Sequence, residues 1–306
     1  MRYRRQLDPA GDDSLARLLK RIPPSSQVLE LGPATGYMSR HLREELGCTL
    51  DAVELSAEMA ESARAFCRRL VVGDVEALDL DVMLAGETYD VIVCADVLEH
   101  LRDPWGLLER LSQRLRPDGR LLLSVPNVAY LGLLVDLLRG NFRYRDEGLL
   151  DRSHLRFFTI DSLQDMLEQA GWHVWTAEPV VLGLTDSEFR VRLETLAPAL
   201  RDELAERPDA LCYQWVVEAR RERPPERFAL PRRLPEDLFQ VRLFWRAAEA
   251  GFDYPRNRLV WAPLGATDHA VAFDVPPGQR ALALRLSDRV GFVALRGLRL
   301  RAEDGA

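Results

Sequence analysis

The strongest constraint on what this chain can fold into is an alternation. Between Gln27 and Asn127, five short apolar runs (QVLEL, LDAVE, LVVGD, DVIVCA and GRLLLSVPN) are separated by stretches with helical spacing. A run that is apolar throughout, such as Asp90–Ala95, suits a strand covered on both faces. Strand–helix–strand units joined by short turns impose parallel pairing and right-handed crossovers. The local punctuation agrees. Gly47 stops a helical pattern over 37–46, and Ser56 stands at the N-cap of one over 57–69. Pro104 lies near the start of the next helix, which ends in a Pro117-Asp118-Gly119 turn. A helix over about 14–22 precedes the first strand and ends at Pro23-Pro24. The expectation is an α/β fold with a doubly wound sheet.

Further along, a helix over about 160–170 is capped by Thr159 or Asp161 and stopped by Gly171. WHVWTAEPV and CYQWVVEAR read as strands that pair antiparallel, with a polar helical stretch over about 186–206 between them. After Arg220 the character changes. RERPPERFALPRRLPEDL is rich in Pro and Arg and reads as a linker. Beyond it FQVRLFW, AVAFDVP, ALALRLS and VALRGLRL alternate apolar and polar residues, an all-β signal. Four or five short strands are few for a closed sandwich, so a small β-domain, or part of a larger one, is expected. The expected division is residues 1–222 and 223–306.

The balance of charge narrows the partners. With 41 Lys and Arg against 48 Asp and Glu, the chain carries −7 and repels phosphate backbones, which argues against nucleic acid. Cys48, Cys67, Cys94 and Cys212 form no CxxC pair and have no histidine at zinc-ligand spacing, so they read as reduced thiols, and no metal is expected. The basic N-terminus lacks the apolar run of a signal peptide. The most apolar stretch, Val128–Leu138, is too short to span a bilayer and contains Asp136. A cytoplasmic protein without stable membrane insertion is expected.

Four pieces carry chemistry, and their order matters more than any one of them. Glu30-Leu31-Gly32-Pro33-Ala34-Thr35-Gly36 joins a strand to a helix, where a glycine-containing turn lets a ligand approach the backbone. Its GxxxG spacing does not meet the dinucleotide fingerprint GxGxxG. Glu54 ends the second strand, where a carboxylate can accept both hydroxyls of a ribose. Gly73-Asp74-Val75 follows the third strand, and Asp74 there can accept from an adenine amino group. Asp96 ends the fourth strand, on the edge where open α/β sheets bind ligands. Taken singly, Glu54 and Asp74 are equally well read as solvated loop carboxylates.

In that order, ELGPATGYMSRHL, DAVELSAEMAESAR, VGDVEAL and YDVIVCADVLEHLRDPWGLLERLSQRLRPDGRLLLSVPN resemble the successive motifs of the class I, Rossmann-like, S-adenosylmethionine (SAM)-dependent methyltransferases. The resemblance covers about the first 220 residues. It implies a seven-stranded sheet ending in an antiparallel hairpin, and SAM as cofactor with S-adenosylhomocysteine as product. Gly32, Ala34 and Gly36 would line the methionine part of SAM, Glu54 the ribose, and Asp74 with Val75 the adenine. Asp96 would lie near the methionine moiety, and Glu30 and Leu55 complete the set. Ala34 stands where the family often has glycine, and Glu30 where aspartate is common.

A narrower resemblance lies in VPNVAYLGLLVDLLRGNFRYRDEGLLDRSHLRFFT. It is similar to bacterial methyltransferases found beside, or fused to, glycosyltransferases of surface-polysaccharide assembly, and more distantly to the methionine-biosynthesis protein of the same superfamily. This implies a sugar or glycan acceptor, a glycosyltransferase as partner, and a homodimer as a further option. A hydroxyl acceptor gains from a general base, and His154 is the candidate. His100 reads as a residue that fixes the turn after the fourth strand. Arg143, Tyr144, Arg152 and Arg156 make the segment basic within an acidic chain and are candidates for gripping an anionic acceptor; the alternative is a solvated lid paired with its own acids. Two other functions stay open: methylation of a phenol, carboxylate or amine, and a SAM-binding module without catalysis.

Overall fold

The computed structural model describes residues 7–184, 186–191, 196–197, 200, 204, 207–230, 238–246, 257–263, 275 and 281–286. These fall in two compact units, Met1–Pro231 and Arg232–Ala306.

The first unit opens with α1 (Ser14–Leu19), whose first turn is closed by the Asp13 side chain accepting from Ala16 N–H. There follow β1 (Gln27–Leu31), α2 (Tyr37–Glu44), β2 (Thr49–Glu54), α3 (Ala57–Ala63) and β3 (Arg69–Val72). Next come α4 (Leu80–Met83), β4 (Tyr89–Ala95), α5 (Pro104–Ser112), β5 (Leu115–Pro126), α6 (Leu131–Leu138), α7 (Ile160–Gln169), β6 (His173–Val181) and β7 (Cys212–Arg220). The seven strands form one sheet in the order β3-β2-β1-β4-β5-β7-β6. The first five are parallel, β7 runs antiparallel to β5, and β6 antiparallel to β7. This is the doubly wound sheet that the alternation implied, in the Rossmann-like, seven-stranded form with a final antiparallel hairpin that the resemblance implied.

Burial explains the uniform apolarity of the central strands. Val28, Leu29, Ile92, Val93, Leu121, Leu122 and Leu123 are all fully buried, as residues covered by helices on both faces must be. One core joins α1, α2 and the sheet through Leu18, Met38, Leu42, Leu50 and Val91. A separate cluster gathers α6 with Leu149, Leu150 and Phe189 around Tyr130. No helix among the described residues is long and apolar enough to cross a membrane; α6 buries Leu131, Leu133 and Val135 and leaves Leu137 and Leu138 exposed.

The structure departs from the sequence reading in three places. Pro117-Asp118-Gly119 does not separate helix from strand but bulges within β5: Tyr89 pairs with Leu115 and Val91 with Arg120, so the intervening residues loop out. The helix expected over 57–69 stops at Ala63, continues as one turn of 3-10 helix to Phe66, and leaves Cys67 extended. The stretch expected as a helix over 186–206 begins instead as turns from Asp186 to Arg190, and residues 192–195, 198–199, 201–203 and 205–206 lie outside the described residues.

The second unit contains β8 (Leu238–Arg246), β9 (Asn257–Pro263) and β10 (Ala281–Leu286), an antiparallel sheet in the order β10-β8-β9. FQVRLFW and ALALRLS are strands as expected. β9 (NRLVWAP) is a strand not among the runs named from the sequence. AVAFDVP and VALRGLRL fall almost wholly outside the described residues.

One glycine fixes the packing beneath the first turn. Gly36 caps α2 at φ +78, and a Cβ there would lie 2.7 Å from Ala63 Cα, main-chain matter of α3 that cannot swing aside. Gly86 has a similar φ of +73 but nothing within 4 Å of its missing Cβ. Gly36→Ala is therefore expected to cost about 3 kcal/mol, combining a left-handed alanine with a backbone clash. Gly86→Ala should cost about 1 kcal/mol from conformation alone. Urea denaturation of both checks the difference; equal losses would show that the α2–α3 contact yields.

Candidate active site

In the strand order, the chain turns from building leftward to building rightward between β1 and β4, and a cleft opens at the carboxyl ends of neighbouring strands there. Three consecutive motifs end at this edge. The loop after β1 is tightly coiled: Gly32, Ala34 and Gly36 have φ of +67, +50 and +78. Ala34, a non-glycine in the left-handed region, is held by a carboxylate. Its N–H donates to Glu54 Oε2 at 2.9 Å, while Ser56 N–H donates to Glu54 Oε1 at 2.8 Å. Glu54 thus ties the β1 loop to the start of α3, with one lone pair of each oxygen still free. Gly32 is exposed, with Val97 beside it. Leu55 is 72% exposed, an apolar surface at the same edge. Asp74 is exposed and accepts from Glu76 N–H at 2.9 Å, and Val75 is half-buried. A hollow of about 510 Å³ lined by Leu7, Thr35, Gly36, Tyr37 and His41 adjoins the loop on its α2 side.

Glu30 does not face the open edge. It is 2% exposed and accepts a 2.6 Å hydrogen bond from Ser39 of α2. Burial pushes its carboxyl up to about 7, Ser39 pulls it down, and Glu54 raises it again.

At the end of β4, Asp96 has φ +55. Its N–H donates to the Ser124 carbonyl, Ser124 Oγ donates to Asp96 Oδ1 at 2.7 Å, and Gln214 Nε2 donates to the same oxygen. Strands β5 and β7 therefore aim the carboxylate delivered by β4. The next turn carries Glu99 and His100. Glu99 is 1% exposed, and neither of its carboxylate oxygens has a hydrogen-bond partner. Burial drives its carboxyl well above the ordinary range, and Asp96 adds to the effect. Against this turn docks the segment 153–156: the Glu99 carbonyl accepts from Leu155 N–H at 2.7 Å and Arg156 N–H at 3.0 Å. His154 arrives with it, 9% exposed, its ring edge-on to His100 at 4.8 Å between centroids. Burial lowers the His154 pKa; a hydrogen bond to Leu149 opposes this, and His100 adds to the lowering.

The basic segment is mostly surface. Arg143 and Tyr144 are exposed, and Tyr144 meets Phe142 edge-on, which in turn meets Phe157. Arg152 pairs with Asp146 at 2.8 Å, and Arg156 donates to the Arg102 carbonyl while lying 5.5 Å over the Trp105 ring. Both therefore have partners within the protein.

Residues 3–177, more than half of the chain, match the family described as methyltransferase domain. The chain belongs to this family. It carries a methyltransferase domain. It is 26% identical over 155 residues to the mitochondrial ubiquinone biosynthesis O-methyltransferase of Schizosaccharomyces pombe, covering 48% of this chain and 54% of that one. It is also 26% identical over 159 residues to the ubiquinone biosynthesis O-methyltransferase of Xylella fastidiosa, covering 51% and 64%. The chain thus spans about half to two thirds of the length of these curated relatives. Among solved structures, a SAM-dependent methyltransferase from Mesorhizobium loti aligns with a TM-score of 0.47 at 19% identity, covering 70% of this chain and all of that one.

The fold of this methyltransferase gathers Gly32, Ala34, Glu54, Asp96 and His154 at one end of the sheet and sets Glu30 beneath it. Sequence reasoning missed Ser39, Ser124, Gln214 and the unpartnered Glu99. Of these only Glu99 left a signal, an acid next to His100 shortly after a strand; Ser124 and Gln214 are polar residues whose partner lies far along the chain, and Ser39 meets Glu30 across the β1–α2 loop.

Glu30 makes stability depend on pH. The folded protein keeps this proton to about pH 7, whereas the unfolded chain releases it near 4.5. Between those values the native state binds more protons, so stability falls as pH rises. Glu30→Gln keeps an acceptor for Ser39 and removes the titration. The variant's stability relative to wild type should rise between pH 5 and pH 8, by at most about 3 kcal/mol. Urea denaturation at both pH values measures this, and parallel profiles would place Glu30 in a wetter setting.

Proposed function

We propose that this methyltransferase transfers the SAM methyl group to a hydroxyl of a sugar or glycan intermediate, with SAM lying across the carboxyl ends of β1, β2 and β4. The observation that carries the cofactor placement is the Glu54 bridge. It fixes a left-handed loop whose exposed glycine admits a ligand against the backbone, and Glu54 retains lone pairs for ribose hydroxyls. The donor set fits the cofactor. Gly32 and Ala34 would flank its methionine part, with Asp96 near its charged amino group, while Asp74, Val75 and Leu55 would border the adenosine. Bound SAM supplies an activated methyl on a sulfonium.

What the chain supplies is alignment. The C–S bond breaks with its electron pair staying on sulfur, the O–C bond forms in line, and the hydroxyl proton departs. His154 is our candidate for drawing off that proton, either as a base or through what it binds. Arg143 and Tyr144, exposed on the segment after α6, are the candidates for gripping an anionic acceptor, since Arg152 and Arg156 have partners already. A phenolic acceptor is the second reading. It is favoured by the relatives named as ubiquinone biosynthesis O-methyltransferases and by the exposed Phe142–Tyr144–Phe157 cluster.

Calorimetric titration of S-adenosylhomocysteine should give micromolar binding, about −8 kcal/mol. Asp74→Ala, an exposed site whose loss spares the core, should weaken it about tenfold. Glu54→Ala should abolish it. No binding by wild type freed of carried-over ligand would end the cofactor placement. In turnover with panels of nucleotide sugars and of phenols, Arg143→Ala should raise the KM for an anionic sugar several-fold and leave that for a neutral phenol unchanged. Turnover of phenols alone would decide for the second reading.

A further inference from the structure

We propose that Glu99, His100 and His154 form a binding site for one divalent transition-metal cation. The inference rests on the reading above that SAM lies across the carboxyl ends of β1, β2 and β4 and that the acceptor hydroxyl loses its proton at His154, since it adds a site there. The ligating atoms of the three side chains all lie within 4.8 Å of one another, close enough that small side-chain rotations bring them to a common ion at about 2.1 Å.

Three observations point to a cation. The first is the carboxylate. A carboxylate 1% exposed with neither oxygen hydrogen-bonded is a costly arrangement, and a cation would satisfy it.

The second is the orientation of the imidazoles. His154 Nδ1 lies 3.1 Å from the Leu149 carbonyl oxygen and His100 Nδ1 lies 3.3 Å from that of Ser153. A carbonyl oxygen only accepts, so each Nδ1 carries the hydrogen. That fixes the tautomer and leaves the Nε2 lone pair of each ring available. Metal-binding histidines are held in this way, one ring nitrogen donating to a carbonyl so that the other can ligate.

The third is rigidity. Two hydrogen bonds from Leu155 and Arg156 to the Glu99 carbonyl lock the segment bearing His154 onto the turn bearing Glu99 and His100. The set is therefore preorganised although its members are 54 residues apart.

Two imidazoles and one carboxylate suit a borderline cation such as zinc, cobalt, manganese or ferrous iron better than calcium, which prefers an all-oxygen shell. Three protein ligands leave coordination positions open, as in catalytic rather than purely structural sites. A cation there would lower the pKa of an acceptor hydroxyl, so that its proton passes to solvent while the O–C bond forms and the C–S bond breaks. On this inference His154 holds the cation and is not itself the base.

The test uses the untagged full chain, stripped with EDTA and titrated with Co²⁺. Visible absorption reports the ligands, equilibrium dialysis the stoichiometry, and S-adenosylhomocysteine binding an intact fold. One equivalent of Co²⁺ should bind, with Zn²⁺ displacing it. Glu99→Gln and His154→Gln should each weaken Co²⁺ by at least about tenfold while still binding S-adenosylhomocysteine. Absence of Co²⁺ binding by wild type, or equal binding by both variants, would overturn the site. Loss of S-adenosylhomocysteine binding by wild type would instead overturn the cofactor placement and leave the metal result to be read on its own.

Discussion

The whole site hangs on the position of β1. Its backbone pairs on one side with β2, from Gln27 opposite Thr49 to Leu31 opposite Val53, and on the other with β4, from Val28 opposite Val91 to Leu31 opposite Cys94. This double register brings three chain segments to one edge at the same height: Gly32 follows Leu31, Glu54 follows Val53 and Asp96 lies two residues beyond Cys94, the last positions of the β1 register. Nothing local in the loops achieves that. The loops are then fixed by polar groups that reach sideways, with Glu54 holding Ala34 and Gln214 with Ser124 holding Asp96. The antiparallel β7 matters for the same reason, since it lays Gln214 beside the end of β5 opposite Pro126.

The three most deeply buried carboxylates among the described residues, Asp51, Glu30 and Glu99, differ in how they are satisfied. Asp51 is 1% exposed but accepts from Arg68 at 3.0 and 2.5 Å and from the Tyr89 hydroxyl at 2.8 Å. It is a closed network that joins β2 to β4 below the site; burial first, and then the hydrogen bond to Asp51, raises the Tyr89 pKa. Glu30 has one donor, Ser39, and meets its burial partly by keeping its proton. Glu99 has no side-chain donor at all. A fold that provides three hydrogen bonds for Asp51 does not lack the means to satisfy a carboxylate. Leaving Glu99 bare between two imidazoles fits a site that receives something better than a site that merely packs.

Much of the fold was legible because burial on both faces leaves a plain mark. QVLEL, DVIVCA and GRLLLSVPN could not be surface strands, and caps at Ser56 and Thr159 stand where the structure has them. The antiparallel hairpin was legible as two late strand runs, WHVWTAEPV and CYQWVVEAR, and in the family resemblance. Illegible features were those set by long-range contact. The β5 bulge depends on Gly119 nestling 3.0 Å from the Asp90 carbonyl, measured to its missing Cβ, which no window of sequence reveals. The early end of α3 lies in a run, RAFCRR, whose helical appearance is overridden by the pairing of Arg69 with Asp51 that starts β3. At the site, the cofactor edge was readable because its residues follow strands in order. The part around His154 was not, because His154 lies 55 residues beyond Glu99 in the chain and its segment docks on that turn through the Leu155 and Arg156 N–H groups.

That contrast bears on how such a domain acquires an acceptor. The cofactor edge is built from strand ends, whose geometry is inherited from the sheet and tolerates little change. The acceptor side is built from the segment between α6 and α7, fastened by two N–H groups to one carbonyl and by Glu188, which accepts from Leu149 N–H at 2.9 Å and from the Tyr213 hydroxyl. Main-chain fastenings constrain where the segment runs but not which side chains it presents. Arg143, Tyr144 and Phe157 can therefore vary without loosening the dock, whereas His154 cannot move without its Leu149 and Glu99 anchors moving too. On the proposed reading, this division would leave specificity to the exposed residues and reaction chemistry to Glu99, His100 and His154, two of them buried and His100 half-buried. The trio would then say more about how the methyl group is transferred than the exposed residues say about where it goes.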